Sequence, residues 1–228
     1  MGMQKQKNIM TSKLPSSKND QIETLCSMSP VIPVLTFETV EEALPVSEAL
    51  LEGGITVLEI TLRTPVALDV IKMLSEKLPE AKVGAGTITT PELYHSAEEA
   101  GACFMVSPGL TNELLEAGVT SDIPLLPGIQ TISEMLLGLQ YNYQRFKFFP
   151  ASVSGGPQAL KAYSGPFGDV KFCPTGGISL DNAQDYLKLS NVMCVGGSWL
   201  APKNLIEEKN WAGIKQRAQE TFIKLQQG

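Results

Sequence analysis

Eight short β-rich runs recur along the chain: Val31 to Leu35, Val57 to Leu62, Lys82 to Ala85, Cys103 to Val106, Pro124 to Leu126, Phe146 to Phe149, Val170 to Cys173 and Met193 to Val195. Their starts lie roughly 20 to 26 residues apart, enough for a strand, a helix and two short loops in each interval. Repeated strand–helix units build parallel sheets, and eight of them in about 200 residues imply a single-domain (β/α)8 TIM barrel. A doubly wound open sheet is the alternative. The count reaches eight without a break and no Gly-x-Gly-x-x-Gly fingerprint follows the first run, which favours the barrel. At 228 residues with 43% hydrophobic composition, one domain can bury the core that such a barrel needs.

Helix signals fill the intervals. Thr39 to Gly53 carries an apolar stripe of Val40, Ala43, Leu44, Ser47 and Leu51, and Gly53-Gly54 ends it. Thr64-Pro65, Thr111-Asn112-Glu113 and Ser179-Leu180-Asp181 read as further helix starts. Trp211, Ile214, Ala218, Phe222 and Leu225 share one face of a last helix, and Asp20 to Met28 reads as a short helix closing the barrel bottom. Residues 1 to 16 read as a flexible tail ahead of one TIM-barrel domain, 17 to 228, with no linker or repeat to divide it.

The formal charge of −6 comes without any Lys/Arg cluster on a periodic segment, which argues against nucleic acid or an anionic membrane as partner. The polar N-terminus lacks the apolar stretch of a signal or anchor, and Gln6 breaks the myristoylation pattern after Gly2, so the chain reads as cytoplasmic. Cys26, Cys103, Cys173 and Cys194 are widely spaced and read as buried, reduced thiols. His95 is the single histidine, so no Cys/His metal site is expected, and its place on the helix after the third strand makes it a surface residue.

Strand alternation sorts the remaining side chains. In Val57 to Arg63, the apolar Leu58, Ile60 and Leu62 share one parity and must face the helices, which turns Glu59, Thr61 and Arg63 toward the interior or its C-terminal mouth. A carboxylate and a guanidinium there are costly unless paired or used, and a buried Glu–Arg ion pair is the structural alternative to a functional one. The same parity turns Lys147 and Phe149 inward while Phe146 and Phe148 pack outward. A lysine among phenylalanines can simply cover apolar surface with its stem. Enclosed and poorly hydrated, it can instead present a neutral nitrogen able to attack a carbonyl. Catalytic groups in this fold gather at the C-terminal ends of the strands, so Lys147 and Glu59 are candidates for Schiff-base chemistry and proton transfer.

Two glycine-rich turns follow the last strands, Thr175-Gly176-Gly177 and Gly196-Gly197-Ser198. A single Gly-Gly is no more than a tight turn, but loops after strands seven and eight are where barrels of this kind aim backbone N–H groups at phosphate. Gly84-Ala85-Gly86-Thr87 and Ser107-Pro108-Gly109 complete a ring of small residues around the mouth, leaving room for a substrate. Thr87 can hydrogen-bond a carboxylate there, or serve as an ordinary turn residue.

With these motifs, together with Pro127-Gly128, Phe146 to Pro150 and Gly196 to Trp199, the chain resembles the KDPG/KHG aldolase family from about Pro30 to Trp199. The resemblance implies a class I aldolase that splits 2-keto-3-deoxy-6-phosphogluconate into pyruvate and glyceraldehyde 3-phosphate. It implies Lys147 as the Schiff-base lysine, Glu59 as the general acid/base, and Arg63 and Thr87 as holders of the pyruvyl carboxylate. Thr175, Gly176, Gly177, Gly197 and Ser198 would receive the phosphate, with Pro108 and Phe149 lining the pocket. It further implies a homotrimer, a small-molecule substrate, and neither cofactor nor metal. A 4-hydroxy-2-oxoglutarate aldolase sharing the lysine chemistry, and a non-catalytic phosphosugar-binding barrel, are the alternatives.

Overall fold

The computed structural model describes residues 13–226; most of the expected tail, residues 1–12, lies outside that range. In chain order the described elements are α1 (Ser16–Ser27), β1 (Val31–Leu35), α2 (Val40–Glu52), β2 (Val57–Thr61), α3 (Ala67–Lys77), β3 (Lys82–Gly86) and α4 (Pro91–Glu99). There follow β4 (Met105–Val106), α5 (Asn112–Thr120), β5 (Leu125–Leu126), β6 (Gly128–Ile129), α6 (Ile132–Gln140), β7 (Arg145–Phe148) and α7 (Gly156–Tyr163). The chain closes with β8 (Lys171–Pro174), α8 (Ala183–Leu187), β9 (Val195–Gly197), α9 (Lys203–Glu207) and α10 (Trp211–Gln226).

All strand pairs are parallel, in a six-stranded sheet of order β5-β4-β3-β2-β1-β9 and a three-stranded sheet of order β6-β7-β8. β5 and β6 flank Pro127, which has no N–H to give to a ladder. Its carbonyl still accepts from the Lys147 N–H at 3.0 Å. Isolated parallel bridges, Phe172 to Val192 and Thr175 to Gly196, connect β8 to the segment containing β9. The product is an α/β fold whose parallel sheet curls around an interior. The last strand differs from its expected span of Met193 to Val195: pairing with β1 matches Val31, Ile32 and Pro33 to Val195, Gly196 and Gly197. The ladder with β1, rather than apolar β-propensity, sets its limits.

Local capping explains where several helices begin. Thr39 and Glu42 form a reciprocal capping box at α2, and the Thr111 hydroxyl accepts from the Leu114 N–H at 3.3 Å to open α5. The expected start at Thr64-Pro65 is displaced to Ala67, because the Thr64 hydroxyl donates to the Phe37 carbonyl at 2.7 Å rather than capping a helix. Ser179 to Asp181 is likewise a turn ahead of α8: the Asn182 side chain accepts from the Ser179 N–H at 2.9 Å.

Strand parity produces two cores. Outward side chains, including Leu58, Ile60, Phe146, Phe148 and Phe172, pack under the helices in one large cluster. Inward side chains, Ile32, Val57, Phe104, Val106, Leu126, Cys173 and Cys194, form a second cluster closed by Ile22 and Cys26 of α1. α1 begins at Ser16, one turn earlier than the expected Asp20, and Leu14 ahead of it is buried with its N–H donating to the Tyr141 carbonyl at 2.9 Å.

Polar anchors fix that plug. The buried Lys18 ammonium donates to the carbonyls of Gly118, Val119 and Ser121 at the C-terminal end of α5, and burial holds it below the usual lysine range. Glu23 binds Lys171 of β8 and Arg145 of β7, the latter at 2.6 Å. All four cysteines are free: Cys26, Cys173 and Cys194 are buried and Cys103 is half-buried. The Cys173 and Cys26 sulfurs beside Cys194, together with its burial, push its thiol well up. Among the described residues no helix is long and apolar enough to cross a membrane.

Candidate active site

Lys147 and Glu59 meet inside the curled sheet. Lys147 Nζ lies 3.1 Å from Glu59 Oε1, with both side chains almost wholly buried, so each ion's desolvation is offset by its partner. The meeting follows from parity: Leu58 and Ile60 on β2, and Phe146 and Phe148 on β7, are fully buried under the helices, which turns the residue between each pair inward. Glu59 therefore pairs with Lys147. Arg63 lies in the turn after β2, exposed at the mouth, and among the described residues makes no ion pair.

The two groups line a cavity of about 200 Å³ that also contains Arg63, Thr87, Pro108, Phe149 and Thr175. Seven residues singled out from the sequence thus share one pocket. The Phe149 ring centroid is 5.4 Å from Lys147 Nζ, a cation–π distance. Val34 and Thr61 line the same pocket and were not among the expected site residues. Thr61 had the inward parity of Glu59, whereas β1 is apolar at both parities and gives Val34 no distinguishing mark.

Thr87 has φ of +64°, a left-handed conformation rarely adopted by a β-branched residue. Its neighbours hold it there: the Gly86 carbonyl accepts from the Leu62 N–H at 2.9 Å, and the Ile88 N–H donates to the Val106 carbonyl at 3.1 Å. Gly176 and Gly177 also take left-handed φ values, +99° and +71°, where a side chain would be strained. A β-carbon on Gly177 would run into the Ser152 side chain. Thr175 lines the lysine cavity, and its buried hydroxyl has no hydrogen-bond partner among the described residues. Gly197 lies under the Trp199 ring, and Ser198 is exposed in a second recess of about 680 Å³ that shares Val34 and Arg63 with the lysine cavity. Among the described residues, the N–H groups of Gly177 and Ser198 make no backbone hydrogen bond.

A recess of about 530 Å³ beside α1 is larger than the lysine cavity, but its Asp20, Lys82 and Asp122 are exposed. A buried amine and carboxylate in contact are what acid–base and nucleophilic chemistry require, so the smaller cavity is the candidate active site. His95 stands apart on α4, exposed, 3.6 Å from Glu98.

The model of one family, KDPG and KHG aldolase, matches residues 22–217. The chain belongs to this family. It is 50% identical over 205 residues to the 2-dehydro-3-deoxy-phosphogluconate aldolase of Pseudomonas aeruginosa, covering 90% of this chain and 93% of that one. It is 48% identical over 198 residues to the KHG/KDPG aldolase of Escherichia coli K12, covering 87% and 93%. Among solved structures, a Legionella pneumophila KDPG aldolase with pyruvate captured as a covalent carbinolamine superposes with a TM-score of 0.86 at 50% identity, covering 88% of this chain and 97% of that one. A carbinolamine requires an amine that has added to a ketone. In the family member described here, Lys147 is the amine buried against a carboxylate in the candidate pocket.

Proposed function

We propose that the chain is a class I aldolase that cleaves 2-keto-3-deoxy-6-phosphogluconate into pyruvate and glyceraldehyde 3-phosphate. The observation that carries this reading is the buried Lys147–Glu59 contact of 3.1 Å in a cavity beyond the C-terminal ends of β2 and β7. Lys147 gives a proton to Glu59 and attacks the C2 ketone, forming a carbinolamine; Glu59 returns the proton to the departing hydroxyl, and water leaves an iminium ion. Glu59 then takes the C4 hydroxyl proton, directly or through a water. The C3–C4 electron pair moves into the iminium, releasing the aldehyde and leaving the enamine of pyruvate on Lys147. Protonation at C3 and hydrolysis free pyruvate and restore the amine. The protonated imine accepts the electron pair, so no step calls on a metal, and turnover in the presence of chelator is the expected result.

Arg63 at the mouth and Thr87 in the pocket are proposed to hold the pyruvyl carboxylate, Arg63 through its planar fork of donors. Pro108 and Phe149 flank the reacting carbons. Thr175, Gly176, Gly177, Gly197 and Ser198 are proposed as the phosphate seat, a reading supported by the N–H groups of Gly177 and Ser198, which make no backbone hydrogen bond among the described residues, and by the left-handed turn at Gly176 and Gly177. A solved Zymomonas mobilis relative, 44% identical, was captured with 3-phosphoglycerate, which suits a phosphate-binding end.

The E. coli relative carries both KHG and KDPG in its name, and this motivates a second substrate, 4-hydroxy-2-oxoglutarate, split to pyruvate and glyoxylate. We further infer that the two sheets form one closed (β/α)8 barrel, supported by the Lys147 to Pro127 hydrogen bond on one side and the Thr175–Gly196 bridge on the other. A cytoplasmic homotrimer is the corresponding assembly and location; the buried reduced thiols and the exposed pair Ile132 and Leu136, one turn apart on α6, fit that inference. The deciding experiment is borohydride reduction in the presence of pyruvate, followed by peptide mass analysis. An adduct on the peptide containing Lys147 is expected; an adduct elsewhere, or none, overturns the assignment.

A further inference from the structure

We propose that Gly86 is a positioning residue for the aldol cleavage, because the space where its side chain would stand is the seat of the Glu59 carboxylate. Two successive inward positions of β3, Gly84 and Gly86, are glycine. At the first, Gly84, the missing side chain leaves room for the Phe104 ring of the inner core. At the second, Gly86, a β-carbon would fall on Glu59 itself, 2.8 Å from its Cγ and 2.9 Å from its Cδ and closer still to Oε1.

The register explains the encounter. Glu59 pairs across the ladder with Gly84 and Thr61 pairs with Gly86, so the Glu59 side chain leans diagonally, toward the mouth, to lie over the next inward position of its neighbour. That lean carries Oε1 to Lys147 on the far wall, at 3.1 Å. Glu59 has little freedom to retreat: its residue is 4% exposed, and Oε1 is the atom bonded to Lys147. A methyl group at position 86 must therefore displace the carboxylate that exchanges protons with the amine.

Gly86 is not among the glycines with left-handed φ, so alanine is allowed there by the backbone and the expected effect is steric alone. The three nearest atoms that a β-carbon would meet all belong to Glu59, none to Lys147 or Arg63. Gly86→Ala should thus impair the proton-transfer steps while leaving substrate binding largely in place. The inference rests on the reading of Glu59 as the proton shuttle.

The test is a double-mutant cycle of Gly86→Ala, Glu59→Ala and the pair, read in both turnover and thermal melting. General acid–base groups contribute about 10²- to 10⁴-fold, so Gly86→Ala is expected to lower kcat, and deuterium exchange at C3 of pyruvate, by about 10²-fold with KM changed severalfold at most. In the Glu59→Ala background the same substitution should change residual turnover less than about twofold, since no carboxylate remains to displace. Equal losses in both backgrounds, or a Gly86→Ala enzyme with unaltered kcat, overturn the proposal. If Gly86→Ala does not fold, the double variant decides: it should fold and melt like Glu59→Ala, and its failure to fold places the clash elsewhere and overturns the proposal. Full turnover by Glu59→Ala would instead refute the proton-shuttle reading, while the coupling in melting temperature would still report whether Gly86 makes room for Glu59.

Discussion

Thr87 joins a strained backbone to a proposed ligand, and substitutions there separate the two. At φ of +64° its β-carbon crowds the following carbonyl, a cost of about 1–2 kcal/mol for an L-residue and more for a branched one. Glycine removes that cost but adds about 0.5–1 kcal/mol of unfolded-state entropy. The half-buried side chain makes no hydrogen bond among the described residues, so little else is lost on truncation. Thr87→Gly should therefore be neutral to about 1.5 kcal/mol more stable than the wild type, a melting temperature raised by about 0–5 °C for a chain of this length. Thr87→Val keeps both shape and strain and removes only the hydroxyl, so its melting temperature should hold. Both variants should raise the KM for pyruvate in the exchange reaction, by about tenfold for one lost hydrogen bond to a charged group. Calorimetric melting and NMR-monitored exchange are the assays. A melting temperature lowered by more than about 3 °C in Thr87→Gly would refute the strain argument; a wild-type KM in Thr87→Val would remove the hydroxyl from the carboxylate site.

Lys147→Ala should abolish cleavage and borohydride-trapped adduct together, and a surviving adduct would place the imine on another amine. Phe148→Ala opens a void where the ring packs 6.0 Å from Tyr163 and 6.5 Å from Phe172; chemical denaturation should show a loss of about 3–5 kcal/mol. The Lys171 and Arg145 partners hold Glu23 below the usual carboxylate range, so its stabilising contribution is present above that range and disappears as pH falls through the depressed value. Because Glu23 and Lys171 are partly exposed, the effect is at most about 1 kcal/mol, and Glu23→Gln should flatten the acid limb of the pH–stability curve by that amount. Gly177→Ala meets Ser152 at a left-handed φ, and should reduce kcat/KM for the phosphorylated substrate by about tenfold or more while sparing 4-hydroxy-2-oxoglutarate; equal losses on both substrates would separate the turn from phosphate recognition.

What could be read from the sequence was governed by period two. Leu58 and Ile60 bracket Glu59, and Phe146 and Phe148 bracket Lys147, so the demand that apolar neighbours lie under helices left the polar residues no direction but inward. Period two ends where the strand ends. Arg63 was given the parity of β2, yet it lies two residues past Thr61 in a turn, where the chain's own path decides its direction. Val34 was illegible for the opposite reason, an all-apolar strand with no contrast between faces. Thr64 looked like a cap because cap residues are chosen by hydroxyl chemistry, and the Phe37 carbonyl, distant in sequence, claimed that hydroxyl first. Gly86 could be read as small but not as a seat, because its role depends on which way a side chain from the neighbouring strand leans.

The interior divides along the strand direction, and the division bears on how the amine works. Cys173, the ladder partner of Lys147, has its side chain in the inner apolar cluster with Val57 and Leu126, and Ile22 and Cys26 close that cluster from below. The lysine cavity includes the exposed Arg63 at the mouth, and the apolar layer lies on its opposite side. The Glu59 carboxylate, 3.1 Å from the amine, is the group proposed to take its proton and to return it to the departing hydroxyl. On the proposed mechanism, a displacement of Glu59 by one methyl group is not made good by solvent from beneath, and the small residue beside it is then expected to govern turnover together with the proposed reactive pair.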